Sequence, residues 1–563
     1  MSARRFAALA ALLALGGAAS AAAADPIDVS VKQDSGTGEP EVEVSPKDPD
    51  TIVVGKNDAG VAVSHDRGRT FKQIDLPNPG DHVLTVGPDG TFWYSALDGD
   101  VRMSTDNGDT WASVGNWVGA AAAQAHAVAQ TGAGAVAGRE IACNAPEEAG
   151  PGEVEPPGEG PGPHVIGCDR PWLYADKTTG TLYVSFVSHD ESSGGAGPAA
   201  WELRTLACRS TVLTNPAFEC GRQYVAASHD RGRTWSRFRP FDSATHPAGS
   251  TGGFSGGPVA AGGVLATSYI ASAAPGKTPC PCLVFETSRD DGVTFERHVV
   301  AHAPVPPAFG NTNPLGGEQS MLFEPYTAAD PARPGHYAVM IGDADFSHLL
   351  VWTTRDGGQT WDGPAQLADP GGTQRHLPWL AIGPTGALGT FWRTTRSDDS
   401  YTVWAAIAPR GDADFAPPVR ISSAISPGPV QQLAGDDASD VTLDATDLHA
   451  VWGDRRDGSL GIRYGRYAFA ADPVVQAIAT APTARVCASR RRFTIRLPRR
   501  LRSAVVTVDG RRARVRRRAG RLTAVVDLRG APRHRARVLI RGRDGRGRRA
   551  VSRRLYRPCT RRP

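Results

Sequence analysis

Ser64-His65-Asp66-Arg67-Gly68-Arg69-Thr70-Phe71 is an octapeptide that this chain writes five times. It returns as Ser104-Thr-Asp106-Asn-Gly108-Asp-Thr110-Trp111, as Ser228-His-Asp230-Arg-Gly232-Arg-Thr234-Trp235, as Ser288-Arg-Asp290-Asp-Gly292-Val-Thr294-Phe295 and as Thr354-Arg-Asp356-Gly-Gly358-Gln-Thr360-Trp361. The consensus S/T-x-D-x-G-x-T-F/W has the chemistry of a tight turn. Gly takes positive φ at no steric cost, the Asp carboxylate accepts N–H and hydroxyl hydrogen bonds across the turn, and the aromatic ring packs beneath. Each copy follows a short apolar run, such as Gly60 to Val63 or Leu283 to Glu286, and precedes another. Each box therefore links two strands of an antiparallel sheet. Recurrence at this spacing marks a repeat architecture.

Units of four short strands account for the chain around the boxes. Five units carry a box. Their first strands begin near Glu41, His82, Trp172, Pro258 and Met321. Two further units lack it, one from Pro378 through Leu388-Gly-Thr-Phe-Trp to Tyr401-Thr-Val-Trp, the other from Asp440 through Leu448-His-Ala-Val-Trp to Gly461-Ile-Arg-Tyr. The last shows three good strands. The isolated alternating segment Ile27-Asp-Val-Ser-Val-Lys32 is expected to supply its fourth and so close a ring, which removes free sheet edges. The expected fold is an all-β propeller of seven blades, with six as the alternative count.

These boxes resemble the Asp-box, or BNR repeat, of the sialidase-like β-propellers, over roughly residues 26 to 470. In that family the box closes the turn between the third and fourth strands of a blade, on the face away from the active site. The resemblance therefore makes Asp66, Asp106, Asp230, Asp290 and Asp356 structural. It further implies hydrolysis of terminal sialic acid, with three Arg on the sugar carboxylate, an Asp as general acid and a Glu-activated Tyr as nucleophile. The chain departs from the family in two respects. It lacks the F/Y-R-I-P motif that carries the first Arg, reading Glu39-Pro-Glu-Val-Glu-Val44 there, and sialidases have six blades. Arg170 and Arg375 stand as second and third Arg; Arg139 and Arg393 are left for a replacement. The Tyr and Glu pair is not anchored by a motif, with Glu324-Pro325-Tyr326 and the late Tyr464 both eligible.

Around the axis of a propeller, the residues ahead of each first strand form the default ligand face. Cys168-Asp-Arg-Pro-Trp172 and Gln374-Arg-His-Leu-Pro-Trp379 occupy matching places, and Glu39, Glu41, Asp81, His82, Glu318, Gln319, Asp436 and Asp437 join them. The residues read as catalytic are Asp169, Glu318 and Tyr326. Those read as substrate-binding are Arg170, Arg375, His376, Trp172 and Asp436. Carboxylates take sugar hydroxyls, Arg forks a carboxylate or phosphate, and Trp stacks on a sugar face. The alternative is that Asp169, Arg170 and Arg375 pair with one another and that both Trp residues belong to the core. Two function classes stay open: a glycan-recognising propeller of exo-glycosidase type, and a non-catalytic binding or scaffold propeller.

The chain has 563 residues and a formal charge of +4, and that total hides a split. From Arg485 to Pro563 there are 29 Arg, no Lys and three acids, so this segment carries +26 and the rest −22. Without Arg4 and Arg5 the acidic part stands at −24. Arg alternates with apolar residues after Val486, as in Phe493-Thr-Ile-Arg-Leu and Ala536-Arg-Val-Leu-Ile, with turn signals at Asp509-Gly510 and Asp544-Gly545. This predicts a small antiparallel β-domain over 485–563, joined to a propeller over 25–470 by a linker at 471–484. Charge alone fits envelope polymers with phosphate groups, anionic lipid heads, nucleic acid or the chain's own acidic propeller. No nucleic-acid motif accompanies it, so no nucleic-acid partner is expected. Residues 1–24, with Arg4-Arg5, an apolar run and Ala22-Ala23-Ala24, read as a secretory signal peptide. The expectation is thus an exported monomer without a membrane span, cofactor or metal, whose partners are a glycan or anionic envelope polymer. Eight Cys in such a chain favour disulfides, Cys487 with Cys559 and Cys143 with Cys168.

Overall fold

The computed structural model describes residues 26–32, 39–57, 60–77, 80–121, 123, 166–190, 223–241, 257–271, 282–302, 325–343, 346–367, 371–372, 375–428, 439–469, 492–497, 501–508, 511–518, 521–527, 536–544 and 549–556. Seven antiparallel four-stranded sheets fill the first compact unit, Met1–Gln476. Six are simple meanders. Their first strands are Glu41–Val44, Val83–Val86, Ile166–Ala175, Val259–Ala261, Tyr326–Ala329 and Arg375–Ile382. The seventh runs Asp440–Leu443, Asp447–Asp454, Gly461–Ala468 and then Ile27–Lys32, so the segment expected to close the ring does so, pairing Ile27 with Arg466 and Val29 with Tyr464.

The first strands touch one another in cyclic order, each against the next and the seventh against the first. That cycle makes the seven sheets the blades of one propeller. Its stability lies between blades. An apolar cluster fills each interface: Val53, Val63 and Phe92 between blades one and two, Phe391, Leu443 and Trp452 between six and seven, and Val42, Ile462 and Tyr464 across the closure. A blade packed on both faces needs apolar residues at successive positions. Hence Ile52–Gly55, Phe92–Ser95 and Leu388–Thr395 are buried throughout, whereas rim strands such as Lys72–Ile74 and Asp362–Gln366 are largely exposed. In blade five the first strand is Tyr326–Ala329, five residues later than the Met321 start expected from the apolar run. The segment Met321–Phe323 lies outside the described residues.

The second unit, Ala477–Pro563, holds a three-stranded sheet (Arg492–Arg496, Arg521–Asp527, Val515–Arg518) and a four-stranded one (Arg511–Ala513, Leu501–Val508, Ala536–Asp544, Arg549–Tyr556). Ile495, Leu522, Ala524 and Val526 of the first pack with Leu501, Val506, Val538 and Ile540 of the second. Among the described residues, no helix is long and apolar enough to cross a membrane.

Candidate functional site

All five boxes sit between the third and fourth strands of blades one to five and share one geometry. In the third, the Ser228 hydroxyl donates to Asp230 Oδ1 at 2.9 Å, Gly232 N–H donates to Ser228 Oγ at 2.9 Å, and the Thr234 N–H and hydroxyl donate to the two carboxylate oxygens at 2.9 and 2.7 Å. With both oxygens engaged across the turn, these carboxylates are turn closures. Burial opposes the ionised form of Asp66, yet hydrogen bonds from Thr70, Ser64 and Arg69 hold its pKa down at about 2.

In the first four boxes the x residue before the Gly does a second job that the consensus conceals. It reaches the preceding blade. Arg67 donates to Asp444 (3.2 Å) and Asp447 of blade seven, Asn107 to Asp48 of blade one (3.5 Å), and Arg231 to Asp89 of blade two (2.8 Å). Asp444, Asp447 and His449 cluster tightly enough to hold a cation. The Arg67 guanidinium already occupies that role. Tyr464, eligible as a nucleophile in the sequence, belongs to this box side. Its hydroxyl shares a hydrogen bond with His449 Nδ1 at 2.7 Å, and its ring lies against Phe71.

At the axis, a cavity of about 130 Å³ is lined by the first strands of all seven blades. Among the described residues, three carboxyl groups line it. Glu41 and Glu43 alternate along the first strand of blade one with buried Val42 and Val44, and Asp440 opens the first strand of blade seven. First strands leave N–H groups on the side of the preceding blade, and these must find acceptors. Asp440 accepts the Val42 N–H at 2.9 Å and its neighbour's, Val441, at 2.7 Å; Glu41 accepts Leu84 N–H; Glu43 accepts Val86 N–H at 3.3 Å; Thr85 Oγ1 accepts Ala175 N–H at 3.0 Å. The acids thus lace blade seven to one and one to two. Lys177 supplies the cation, paired with Glu43 and lying 5.7 Å from the Tyr174 ring centroid.

The electrostatics separate these acids. Burial, with Glu43 nearby, pushes Asp440 up to about 7 despite its backbone hydrogen bonds. Burial, then the adjacent Asp440, raises Glu41 well above the ordinary range. The cavity therefore presents two carboxyl groups with raised pKa values, Asp440 and Glu41, beside a third, Glu43, that pairs with Lys177.

Trp172 and Trp379 also line this cavity, partly exposed, with ring centroids 5.3 Å apart; Tyr326 packs 4.5 Å from Trp379. Both tryptophans follow a proline at a bulge, between Asp169 and Trp172 and between His376 and Trp379. Aligning the bulges sets Asp169 against His376 and Arg170 against Leu377, so Arg170 and Arg375 do not hold equivalent places. Proline, without an N–H, breaks the ladder at the same point in both strands. Arg375, His376 and Arg393 are buried together on blade six. Arg393 donates to Ser439 Oγ at 2.8 Å and lies 5.2 Å from the Tyr401 ring centroid; burial, then the Arg393 charge, lowers His376 to about 4, so it is a neutral imidazole at pH 7.

The structure thus gathers Trp172 and Trp379 at the axial cavity, whereas Tyr326, read as catalytic, is buried in the core between blades five and six against Trp379. Asp169, Arg170 and Cys168 lie on the first strand of blade three, their side chains outside the described residues, as are Glu318, Asp436, Arg139, Cys143, Cys487 and Cys559. Sequence reasoning passed over Glu43, Lys177 and Asp440. The signal was available in Glu41-Val-Glu-Val44 and Asp440-Val-Thr-Leu443, where a polar residue alternates with an apolar one on an innermost strand.

No family model and no curated protein matches this chain. Among solved structures it is similar to a lectin from Burkholderia pseudomallei at 12% identity, covering 78% of this chain and 99% of that one, with a TM-score of 0.41. A Hadza microbial sialidase is similar at 15% identity over 74% of this chain and 73% of its own, with a TM-score of 0.36. The α-L-arabinofuranosidase of Fusarium graminearum is similar at 14% identity over 69% and 98%, with a TM-score of 0.36.

Proposed function

We propose that this chain is an exported carbohydrate-recognising propeller whose ligand binds over the axial cavity, on the face opposite the Asp boxes. The observation that carries the reading is the Trp172–Trp379 pair, partly exposed in a cavity shared with Glu41, Glu43, Asp440 and Lys177. Aromatic faces stack on the apolar side of a sugar ring while carboxylates accept its hydroxyl hydrogens. An apolar ligand would cover these acids without offering them a hydrogen-bond donor of its own.

The raised Asp440 beside the Lys177-paired Glu43 favours a second reading, glycoside hydrolysis. A carboxyl group with a pKa of about 7 is poised to protonate a leaving oxygen, and a Lys-paired carboxylate is the matching base or nucleophile. A panel of immobilised oligosaccharides, with sialosides and arabinosides included, tests recognition. Fluorogenic glycosides with the same termini test turnover. Retention of one sugar class is expected, and retention of none would remove the reading. Turnover abolished by Asp440→Asn with the sugar still retained would establish the hydrolase; retention without turnover leaves a binding propeller.

A further inference from the structure

We infer that the C-terminal unit is a two-faced binder of linear phosphate-bearing polyanions. In the three-stranded sheet, Arg496 pairs in register with Thr523, which pairs with Arg516, so the two arginines share one row and one face. Arg514, two residues before Arg516, hydrogen-bonds through its carbonyl to Val525 N–H and falls on that same face. These arginines are exposed, while Ile495, Leu522 and Ala524 on the other side are buried. In the four-stranded sheet, Arg512 pairs with Thr507, Arg541 with Val505 and Arg543 with Ser503. These exposed positions alternate with buried Val506 and Ile540. The two apolar faces meet in one core, so the two Arg faces point outward in opposite directions.

Two features select the partner. First, 29 Arg against three acids leaves most of the charge unmatched within the unit. Among the described residues of the propeller, the five box aspartates, Asp176, Asp330, Asp440 and Asp28 accept hydrogen bonds from the propeller's own groups. Second, the cationic faces are opposed. A flat bilayer meets one face at a time, whereas a flexible chain engages both. Arginines two residues apart on a strand stand about 6.8 Å apart, a spacing suited to successive charges along an extended polymer, each held by a planar donor fork. Residues 485–563 contain only Phe493 and Tyr556 as aromatics, too few to stack on successive nucleobases.

The test uses the full chain and long-chain inorganic polyphosphate as probe. Binding at about 0.1 M salt is expected, with log K falling linearly as log salt rises. Arg514→Glu/Arg516→Glu alters one face and Arg512→Glu/Arg541→Glu the other. Each pair is expected to weaken binding roughly tenfold and lower the salt slope by about two. Each is also expected to abolish the turbidity that a two-faced binder produces with a long polymer. Unchanged thermal unfolding of the variants shows that they fold. No binding, or binding and turbidity unaffected by the substitutions in folded protein, overturns the inference. So does tighter binding to vesicles containing phosphatidylglycerol, which would assign the unit to membranes, or to duplex DNA, which would assign it to nucleic acid.

Discussion

The glycine of each Asp box is held by two demands, and they can be separated experimentally. Gly358 has φ of +97°, and a Cβ there would sit 2.7 Å from Phe285 Cδ1 of the preceding blade. Its neighbour Gly357 has φ of +78° with nothing within 4 Å of a Cβ. Gly357→Ala pays only for the left-handed backbone, about 1 kcal/mol, whereas Gly358→Ala adds a clash inside a packed interface and is expected to cost at least about 1–2 kcal/mol more. Denaturant unfolding of both variants checks this; equal losses would mean that the box glycine serves conformation alone. The axial acids give a second prediction at this scale. Asp440 has a folded pKa of about 7 against an ordinary 3.8, so folding favours its protonated form. Its stabilising contribution is complete below about pH 4 and is lost as pH rises through 7. Asp440→Asn, which mimics the protonated form, is therefore expected to raise the unfolding midpoint relative to wild type at pH 8 more than at pH 5. An equal difference at both would contradict the assignment. The boxes act oppositely. Asp66, held at about 2, contributes above pH 4 and loses that contribution as pH falls towards 2.

The closing strand Ile27–Lys32 does more than complete a sheet. Asp28, its side chain only 1% exposed, accepts Arg463 Nε at 2.6 Å and Arg456 Nη1 at 2.7 Å on blade seven, and the N–H and hydroxyl of Ser423 at 2.7 Å beyond the last strand of blade six. Asp28→Ala removes the buried carboxylate shared by two largely buried guanidinium groups, leaving Arg456 with Asp454 and Arg463 with the more distant Asp457. A loss of about 3–5 kcal/mol in propeller stability is expected from equilibrium unfolding. A loss under about 1 kcal/mol would mean that backbone pairing alone closes the ring. At this scale the sequence was readable where burial is two-sided. The inner three strands of each blade announce themselves as apolar runs, and the boxes fix the turn that follows the third strand. The rim strands Arg239–Pro240 and Val419–Arg420, two residues each, have no pattern of their own because solvent covers one side. The start of blade five was misplaced for a related reason: Met321-Leu-Phe and Tyr326-Thr-Ala-Ala are both apolar, and only neighbouring blades distinguish them.

For the molecule as a whole, repetition carried the architecture and exceptions carried the site. Seven repeated units predict a ring with an axis, and the axis predicts where ligands meet side chains from many blades at once. What no repeat reveals is which axial positions depart from the pattern. Glu41, Glu43 and Asp440 occupy innermost strands where other blades place Ala328, Ala381 or Val259, and their task of capping the next blade's N–H groups appears only once adjacent blades are in register. Trp172 and Trp379 were legible as a matched pair, but their approach to 5.3 Å across the axis was not. The most direct test of the account compares sugar retention by Trp379→Ala with that by Trp361→Ala. Trp361 is the box tryptophan of blade five, whose indole N–H donates to the Gly358 carbonyl at 3.0 Å on the opposite face. The account predicts that Trp379→Ala loses retention at least tenfold while Trp361→Ala retains it. Retention unchanged in folded Trp379→Ala, or lost only in folded Trp361→Ala, would place the ligand away from the axis and contradict it.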